Sequence, residues 1–229
     1  MDFSLKLKLN SISHSFGNKY FLFKDLNFEM QQSDALAICG PNGSGKSTLL
    51  KIIASLLKPS KGSIELFINS KKIERESFYK HISLIAPYLN LYEEFSALEH
   101  IRICNEFVAK DERHSEQSDE HRKGDFFSQS NFFMEKKQEL LDLFEIRKIA
   151  IEPIKTYSSG QKQRLKYILA LLKDSSIFLL DEPFTNLDEN GINIAKEMIS
   201  KLIKNNRIVI IASNDSREIE LSKKIIELA

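Results

Sequence analysis

Along the first third of the chain the apolar residues fall in short runs with two different spacings. Leu5-Lys6-Leu7-Lys8-Leu9 alternates apolar and polar positions with period two, and Tyr20-Phe21-Leu22-Phe23 is aromatic, so both predict β-strands. Ala35–Cys39 is a continuous apolar run ending at Gly40, the pattern of a strand buried on both faces. Over Ser47–Leu57 the spacing changes. Leu49, Leu50, Ile53, Leu56 and Leu57 share one helical stripe, and Lys58-Pro59-Ser60-Lys61-Gly62 stops the helix. Ile64–Ile68 and Ile82–Ala86 predict two more strands.

The middle of the chain reads differently. Ser96-Ala97-Leu98-Glu99 has the capping-box pattern and opens a helix predicted to Ala109. From Lys110 to Gly124 nearly every residue is charged or polar, a stretch that cannot bury apolar area and predicts a solvated excursion. Helical periodicity returns over Phe132–Ile146. Then follow a helix (Gly160–Lys173), a buried strand (Ile177–Leu180), a helix (Asp188–Lys204), a strand (Arg207–Ala212) and a short helix from Asp215. Strands alternating with helices predict right-handed crossovers and a mainly parallel sheet. The expected division is residues 1–91 as the first part of an α/β core, 92–156 as a helical subdomain with its polar excursion near 110–125, and 157–229 as the signature helix and the returning part of the core.

Composition narrows the function classes. The 229 residues suit one large α/β domain or a core with a small insertion. With 33 basic and 32 acidic side chains the net charge is +1, so nothing pushes the chain toward a nucleic-acid partner or anionic lipid. The start, Met1-Asp2-Phe3-Ser4-Leu5-Lys6, lacks the basic and apolar regions of a signal peptide. Runs such as Ala35–Cys39 and Ile208–Ala212 fall far short of the roughly 20 apolar residues that span a bilayer. A cytoplasmic protein is expected, with any membrane role exercised through a partner. Cys39 and Cys104 have no CxxC spacing, so neither a disulfide framework nor a zinc site is expected, only ordinary buried thiols. His14, His81, His100, His114 and His121 show no metal spacing and receive no catalytic role.

The chemistry is concentrated in contiguous motifs. Gly40-Pro41-Asn42-Gly43-Ser44-Gly45-Lys46-Ser47-Thr48 fits G-x-x-x-x-G-K-[ST] between a buried strand and a helix. Its glycines let successive N–H groups curl around phosphates, and the helix N-terminus adds positive potential. In that arrangement Lys46 reaches the β- and γ-phosphates of ATP, Ser47 is a Mg²⁺ ligand and Thr48 helps hold the α-phosphate. Ile177-Phe178-Leu179-Leu180-Asp181-Glu182 is an apolar strand delivering two carboxylates at its C-terminal end, where parallel sheets place their ligands. There Asp181 binds Mg²⁺ through water, and Glu182 orients and deprotonates the attacking water.

Tyr157-Ser158-Ser159-Gly160-Gln161-Lys162-Gln163-Arg164 resembles the Leu-Ser-Gly-Gly-Gln signature of the ATP-binding cassette family, although Ser158 would also serve as an ordinary helix N-cap. It stands after the helical insertion and before the Asp181–Glu182 strand, as in that family, and the resemblance covers nearly the whole chain. It implies a P-loop α/β sandwich with an N-terminal antiparallel β portion and an inserted α-helical subdomain. It implies ATP and Mg²⁺ as cofactors and hydrolysis as the reaction. It also implies a head-to-tail dimer, homodimeric or heterodimeric, in which Ser159 and Gly160, with Gln161, meet the γ-phosphate held by a second subunit. Phe16 matches the aromatic that stacks on adenine, the alternative being a core phenylalanine. Thr185-Asn186-Leu187-Asp188 resembles the D-loop, with Asp188 bridging the subunits. Leu91–Glu99 resembles the surface that meets a separate transmembrane permease, which would hold the chain on the inner face of the membrane.

Two positions depart from the family. The usual glutamine falls on Pro87, and the switch histidine on Asn214, which can donate a hydrogen bond but cannot carry a proton as imidazole does. Both departures bear on hydrolysis rate and partner coupling and leave nucleotide binding untouched. The leading expectation is the nucleotide-binding subunit of a transporter, with no space after the last core elements for a regulatory domain. The alternatives are a soluble cassette ATPase acting on ribosomes or DNA, and an ATP-dependent switch with weak hydrolysis.

Overall fold

The computed structural model describes residues 3–17, 20–115 and 125–229. The chain forms two compact units. One comprises Met1–Pro87, Ser175–Phe184 and Ala195–Ala229, the other Tyr88–Asp174 and Thr185–Ile194.

The first unit holds the strands β1 (Leu5–Ser15), β2 (Phe21–Gln31), β3 (Ala35–Cys39), β4 (Lys61–Ile68), β5 (Lys71–Ile73), β6 (Ile82–Ile85), β7 (Ile177–Asp181), β8 (Ile208–Ala212) and β9 (Lys224–Glu227). They make an antiparallel sheet ordered β2-β1-β4-β5 and a parallel sheet ordered β6-β7-β8-β3-β9. The period-two pattern of β1 becomes one buried face: Leu5, Leu7 and Leu9 are buried while Lys8 is exposed. Past Leu9 the register with β2 shifts, with Ser11 at φ 49°, and this irregularity lets the strand run on to Ser15. The alternation ends where the bulge begins, so the sequence pattern shows only the first half of β1.

All residues of β7 and β8 are buried, and so is β3 apart from Cys39 at its end. Burial on both faces removes any alternation and leaves the continuous apolar runs seen in the sequence. β9 was not expected. Its four residues are half charged and mostly exposed, and only pairing with β3 (Leu36↔Lys224, Cys39↔Glu227) makes them a strand.

The helix α1 (Lys46–Ile53) is shorter than its apolar stripe predicts. Ser55, at φ 60°, turns the chain out of the helix, and Leu56 is left 65% exposed. Leu49, Leu50, Ile52 and Ile53 are fully buried in one cluster with Leu5, Leu7 and Leu9 of β1 and Leu179 and Ile210 of the parallel sheet. Each such side chain contributes about 1.5–3 kcal/mol by leaving water, so the helix following the glycine loop is anchored by its apolar residues. A short helix, α2 (Phe78–His81), precedes β6.

The second unit is built on α3 (Ala97–Ser115), α4 (Asp125–Leu143), α5 (Ser159–Leu172) and the start of α6 (Glu189–Lys204). The capping box forms as expected: Glu99 Oε2 accepts from the Ser96 N–H at 2.7 Å, and Ser96 Oγ accepts from the Glu99 N–H at 3.3 Å. α3 runs past Ala109 to Ser115, into the expected polar excursion, whose remainder (116–124) lies outside the described residues. Tyr167 of α5 stacks on Phe144, just beyond α4, at 5.5 Å, and α5 packs on α3 and α4. By its contacts the helix after the signature lies in the second unit. Its buried face, with Leu165, Tyr167 and Ile168, fits the other helices. Among the described residues no helix is long and apolar enough to cross a membrane. Finally, α7 (Ser216–Ile219), in the first unit, is capped by Asp215.

Candidate nucleotide site

In the parallel sheet β8 lies between β7 and β3, and Asp181 and Ile38 both pair with Ala212. The ends of these three strands therefore line up, and each opens into a loop carrying expected site residues. Gly40 starts the P-loop at φ 141°, where a Cβ would collide with the Leu228 carbonyl oxygen and come within 2.8 Å of Ser44 Oγ. Gly45 is the N-cap of α1 at φ 101°, and a Cβ there would sit 2.6 Å from Leu22 Cδ2. Only glycine fits at either point. Pro41, Asn42 and Gly43 are exposed along the loop, and Thr48 is half-buried in the first turn of α1.

Lys46 is 7% exposed, and its Nζ donates to the carbonyl oxygens of Gly40 (2.6 Å) and Pro41 (3.2 Å), which holds the ammonium over the loop. The Ser47 hydroxyl hydrogen-bonds the Asp181 carboxylate. Asp181 is 3% exposed, and its Oδ2 has no partner among the described residues. Burial pushes its carboxyl above the usual range and Glu182 adds to this, while the Ser47 hydrogen bond pulls the other way. A hydroxyl and a partly orphaned carboxylate, both hard oxygen donors, fit a Mg²⁺ ion.

Glu182 follows as an exposed residue whose N–H donates to the Ala212 carbonyl at 2.9 Å. Its φ of 45° lies in the left-handed region, uncommon for a side chain of this size and frequent at functional sites. Asn214 does something the sequence did not indicate: its Oδ1 accepts the Gly40 N–H at 3.2 Å, tying the end of β8 to the start of the P-loop. That leaves the amide NH₂ as the donor for a ligand. Phe16 is 69% exposed and meets His14 edge-on at 4.9 Å, so the core alternative for this ring does not hold. Pro87 is exposed and offers neither a side-chain donor nor an acceptor.

The second unit assembles the other expected group. Ser158 caps α5 in a complete capping box: its Oγ accepts from the Gln161 N–H (3.2 Å) and Gln161 Oε1 accepts from the Ser158 N–H (2.8 Å). The Gln161 side chain is thus committed to the cap, leaving Ser159 and Gly160 as the outward residues. A Cβ on Gly160 would approach the Asn186 carbonyl oxygen at 2.8 Å. Asp188 is held within this unit. Its Oδ1 accepts from Arg164 Nη2 (2.7 Å) and the Gly191 N–H (2.9 Å), and chiefly the Arg164 guanidinium keeps its carboxyl below the usual range. Arg164, 7% exposed, also pairs with Glu145.

Arg164 and Leu228 were not expected from sequence. Arg164 reads as one more charge on an amphipathic helix, and Leu228 acts only through its backbone. Cys39 and Cys104 are half-buried rather than buried, one at a strand end and one on α3, and desolvation pushes both thiols up. His100 is locally bonded: Nε2 accepts the Tyr92 N–H (3.0 Å), so Nδ1 carries the proton toward the Ser96 carbonyl (2.9 Å).

A profile of the ABC transporter family matches residues 23–185. The chain is 28% identical over 206 residues to "ABC transporter A family member 1" of Dictyostelium discoideum, covering 89% of this chain and 21% of that protein. It is 26% identical over 208 residues to "Uncharacterized ABC transporter ATP-binding protein YcbN" of Bacillus subtilis (strain 168), covering 91% of this chain and 61% of that one. The chain therefore spans less than two thirds of the length of these curated relatives. A solved ATP-binding cassette, in a dimeric post-hydrolysis state with ADP and Pi, superposes with TM-score 0.75 at 24% identity. It covers 97% of this chain and 94% of that one, a likeness of fold.

Proposed function

The chain belongs to the ABC transporter family, and from that membership we propose that it is the ATP-binding, ATP-hydrolysing subunit of a transporter. The observation that carries this reading is the convergence at one sheet edge of Lys46, the Ser47–Asp181 pair, Glu182 and the Asn214–Gly40 contact. Lys46 and the loop N–H groups hold the phosphates. Ser47 and Asp181 would hold Mg²⁺, which would supply neutralisation of phosphate charge. Glu182 orients a water and takes its proton as the water oxygen bonds to the γ-phosphorus and ADP departs. The Asn214 NH₂ donates to the γ-phosphate, and Phe16 stacks on the adenine.

Two cassettes, of the same or different chains, close head to tail so that Ser159 and Gly160 of one meet the phosphates bound by the other. Their closure drives a separate membrane-spanning partner at the inner face of the membrane, with no nucleic acid involved. Release of inorganic phosphate from ATP, with Mg²⁺ and with the metal chelated, is the test. Turnover near or below the bottom of the ~1–10³ s⁻¹ range common for enzymes is expected, and none after chelation. Tight ATP binding without phosphate release sinks the ATPase reading. It would favour the switch with weak hydrolysis, which Pro87 and Asn214 support.

A further inference from the structure

Glu218 has the sequence setting of a surface residue. It sits three places after the N-cap Asp215 in a short polar helix, where a capping box would place a solvated glutamate. In the fold it is 2% exposed. Its Oε1 accepts the Phe184 N–H at 2.6 Å, the Ser213 hydroxyl hydrogen-bonds its carboxylate, and its Oε2 is buried without a partner among the described residues. Burial pushes the carboxyl up, with Asp215 and Glu182 adding like charge, and the two hydrogen bonds offset only part of this. Burying such a group is unfavourable, so its place in the fold calls for a reason beyond packing.

That reason lies in what it joins. The β7–β8 ladder ends with Asp181↔Ala212 and the Glu182 N–H to the Ala212 carbonyl. Beyond this point the two loops leave the sheet, one through Phe184 just after Glu182, the other through Ser213 just before Asn214. Glu218 grips both. The Ser213 hydroxyl in turn accepts the Asp215 N–H at 2.9 Å, which secures the far side of Asn214.

We propose that Glu218 is a positioning residue for ATP hydrolysis: its carboxyl, shared by the Phe184 N–H and the Ser213 hydroxyl, sets the spacing of Glu182 and Asn214. This rests on the ATPase reading above. Glu218 has no part in the P-loop, so nucleotide binding and turnover separate when it is changed. In Glu218→Ala, kcat falls about 10- to 100-fold, as misplaced catalytic groups do, while the KM for ATP stays unchanged. By hydrogen–deuterium exchange the Phe184 amide exchanges faster, and the amides of α1 keep their protection. Glu218→Gln retains an acceptor oxygen and recovers most of the lost kcat.

A wild-type kcat in Glu218→Ala overturns the proposal and leaves the ATPase reading standing. So does a fall in ATP affinity that matches the fall in kcat, or a loss that Glu218→Gln does not recover. If Glu218→Ala does not fold, Glu218→Asp, one methylene shorter, takes its place. Unchanged Phe184 exchange and unchanged kcat in that variant overturn the proposal. A wild type without turnover overturns both readings.

Discussion

The P-loop of the first unit and the signature turn of the second are both glycine-bearing loops at a helix N-terminus, yet they are held in opposite ways. α1 begins at Gly45 without a capping side chain, and beside the loop Ser44 Oγ and Asp181 Oδ2 are buried with no partner among the described residues. α5 begins at Ser158 with a closed capping box, and Oδ1 of Asp188 in the same unit accepts from Arg164 and the Gly191 N–H. An uncapped helix start with orphaned polar atoms is incomplete and selects a ligand that completes it. A capped start is complete in itself, and on the proposed function it would meet a phosphate only through what its cap leaves free, the Ser159 hydroxyl and the Gly160 N–H. The first region should therefore respond to substitution mainly in binding and chemistry, the second in stability and subunit association.

The largest expected effect falls on chemistry in the first region. Glu182→Gln should lower phosphate release by about 10²–10⁴-fold while ATP stays bound, so that the closed dimer accumulates and elutes earlier from a sizing column. Adding Ser159→Arg should abolish that shift by placing a bulky cation where a hydroxyl met the partner's phosphate. A dimer that persists in the double variant breaks the comparison, because the second region would then not face phosphate. Lys46→Ala comes next. Losing its charge-assisted contacts should weaken ATP binding by about 1.5–3 kcal/mol, read by titration with a fluorescent ATP analogue. Undiminished affinity would remove the P-loop from the binding site.

Ser158→Ala should cost about 1 kcal/mol of stability, as lost N-caps do, without changing nucleotide affinity. The midpoint of urea unfolding reports the first quantity and the same fluorescent titration the second. The smallest effect is a pH contrast between two aspartates whose ordinary value is 3.8. Asp181 is raised, so its charged form is a penalty to the fold above its folded-state value, relieved as pH falls through that value toward 3.8. Asp188 is lowered, so its contribution is complete above 3.8 and is lost only as pH falls below it. At pH 7 Asp181→Asn should therefore raise the melting temperature of the nucleotide-free protein by a few degrees, and Asp188→Asn should lower it slightly. On mild acidification the Asp181→Asn gain should shrink first. A Tm gain for Asp181→Asn that ignores pH would show that burial of charge is not its origin.

Legibility in the sequence followed the range of the interactions. The P-loop and the Asp181–Glu182 strand end could be read because each is a contiguous run whose local geometry is its chemistry: glycines at required backbone angles, a lysine and serine one and two places on, carboxylates at the end of a buried strand. The capping box at Ser96 and Glu99 could be read for the same reason. β9 could not, since Lys224-Ile225-Ile226-Glu227 carries no apolar alternation and Ile225 remains 61% exposed even in the strand. Nor could the end of α1, where Leu56 keeps the helical spacing after the backbone has turned at Ser55.

By itself the sequence determined the strand and helix periodicity, the phosphate loop and the residue types at the strand ends, because these depend on neighbours a few positions apart. Only the tertiary structure decided that Asn214 grips Gly40 across 174 positions and that Glu218 grips Phe184 across 34. It also tied the Gln161 side chain to a helix cap and Asp188 Oδ1 to Arg164. A hydrogen bond forms only when donor and acceptor stand within about 3 Å in the right orientation. For residues on different strands that meeting depends on sheet order and register, which the spacing of apolar residues does not encode.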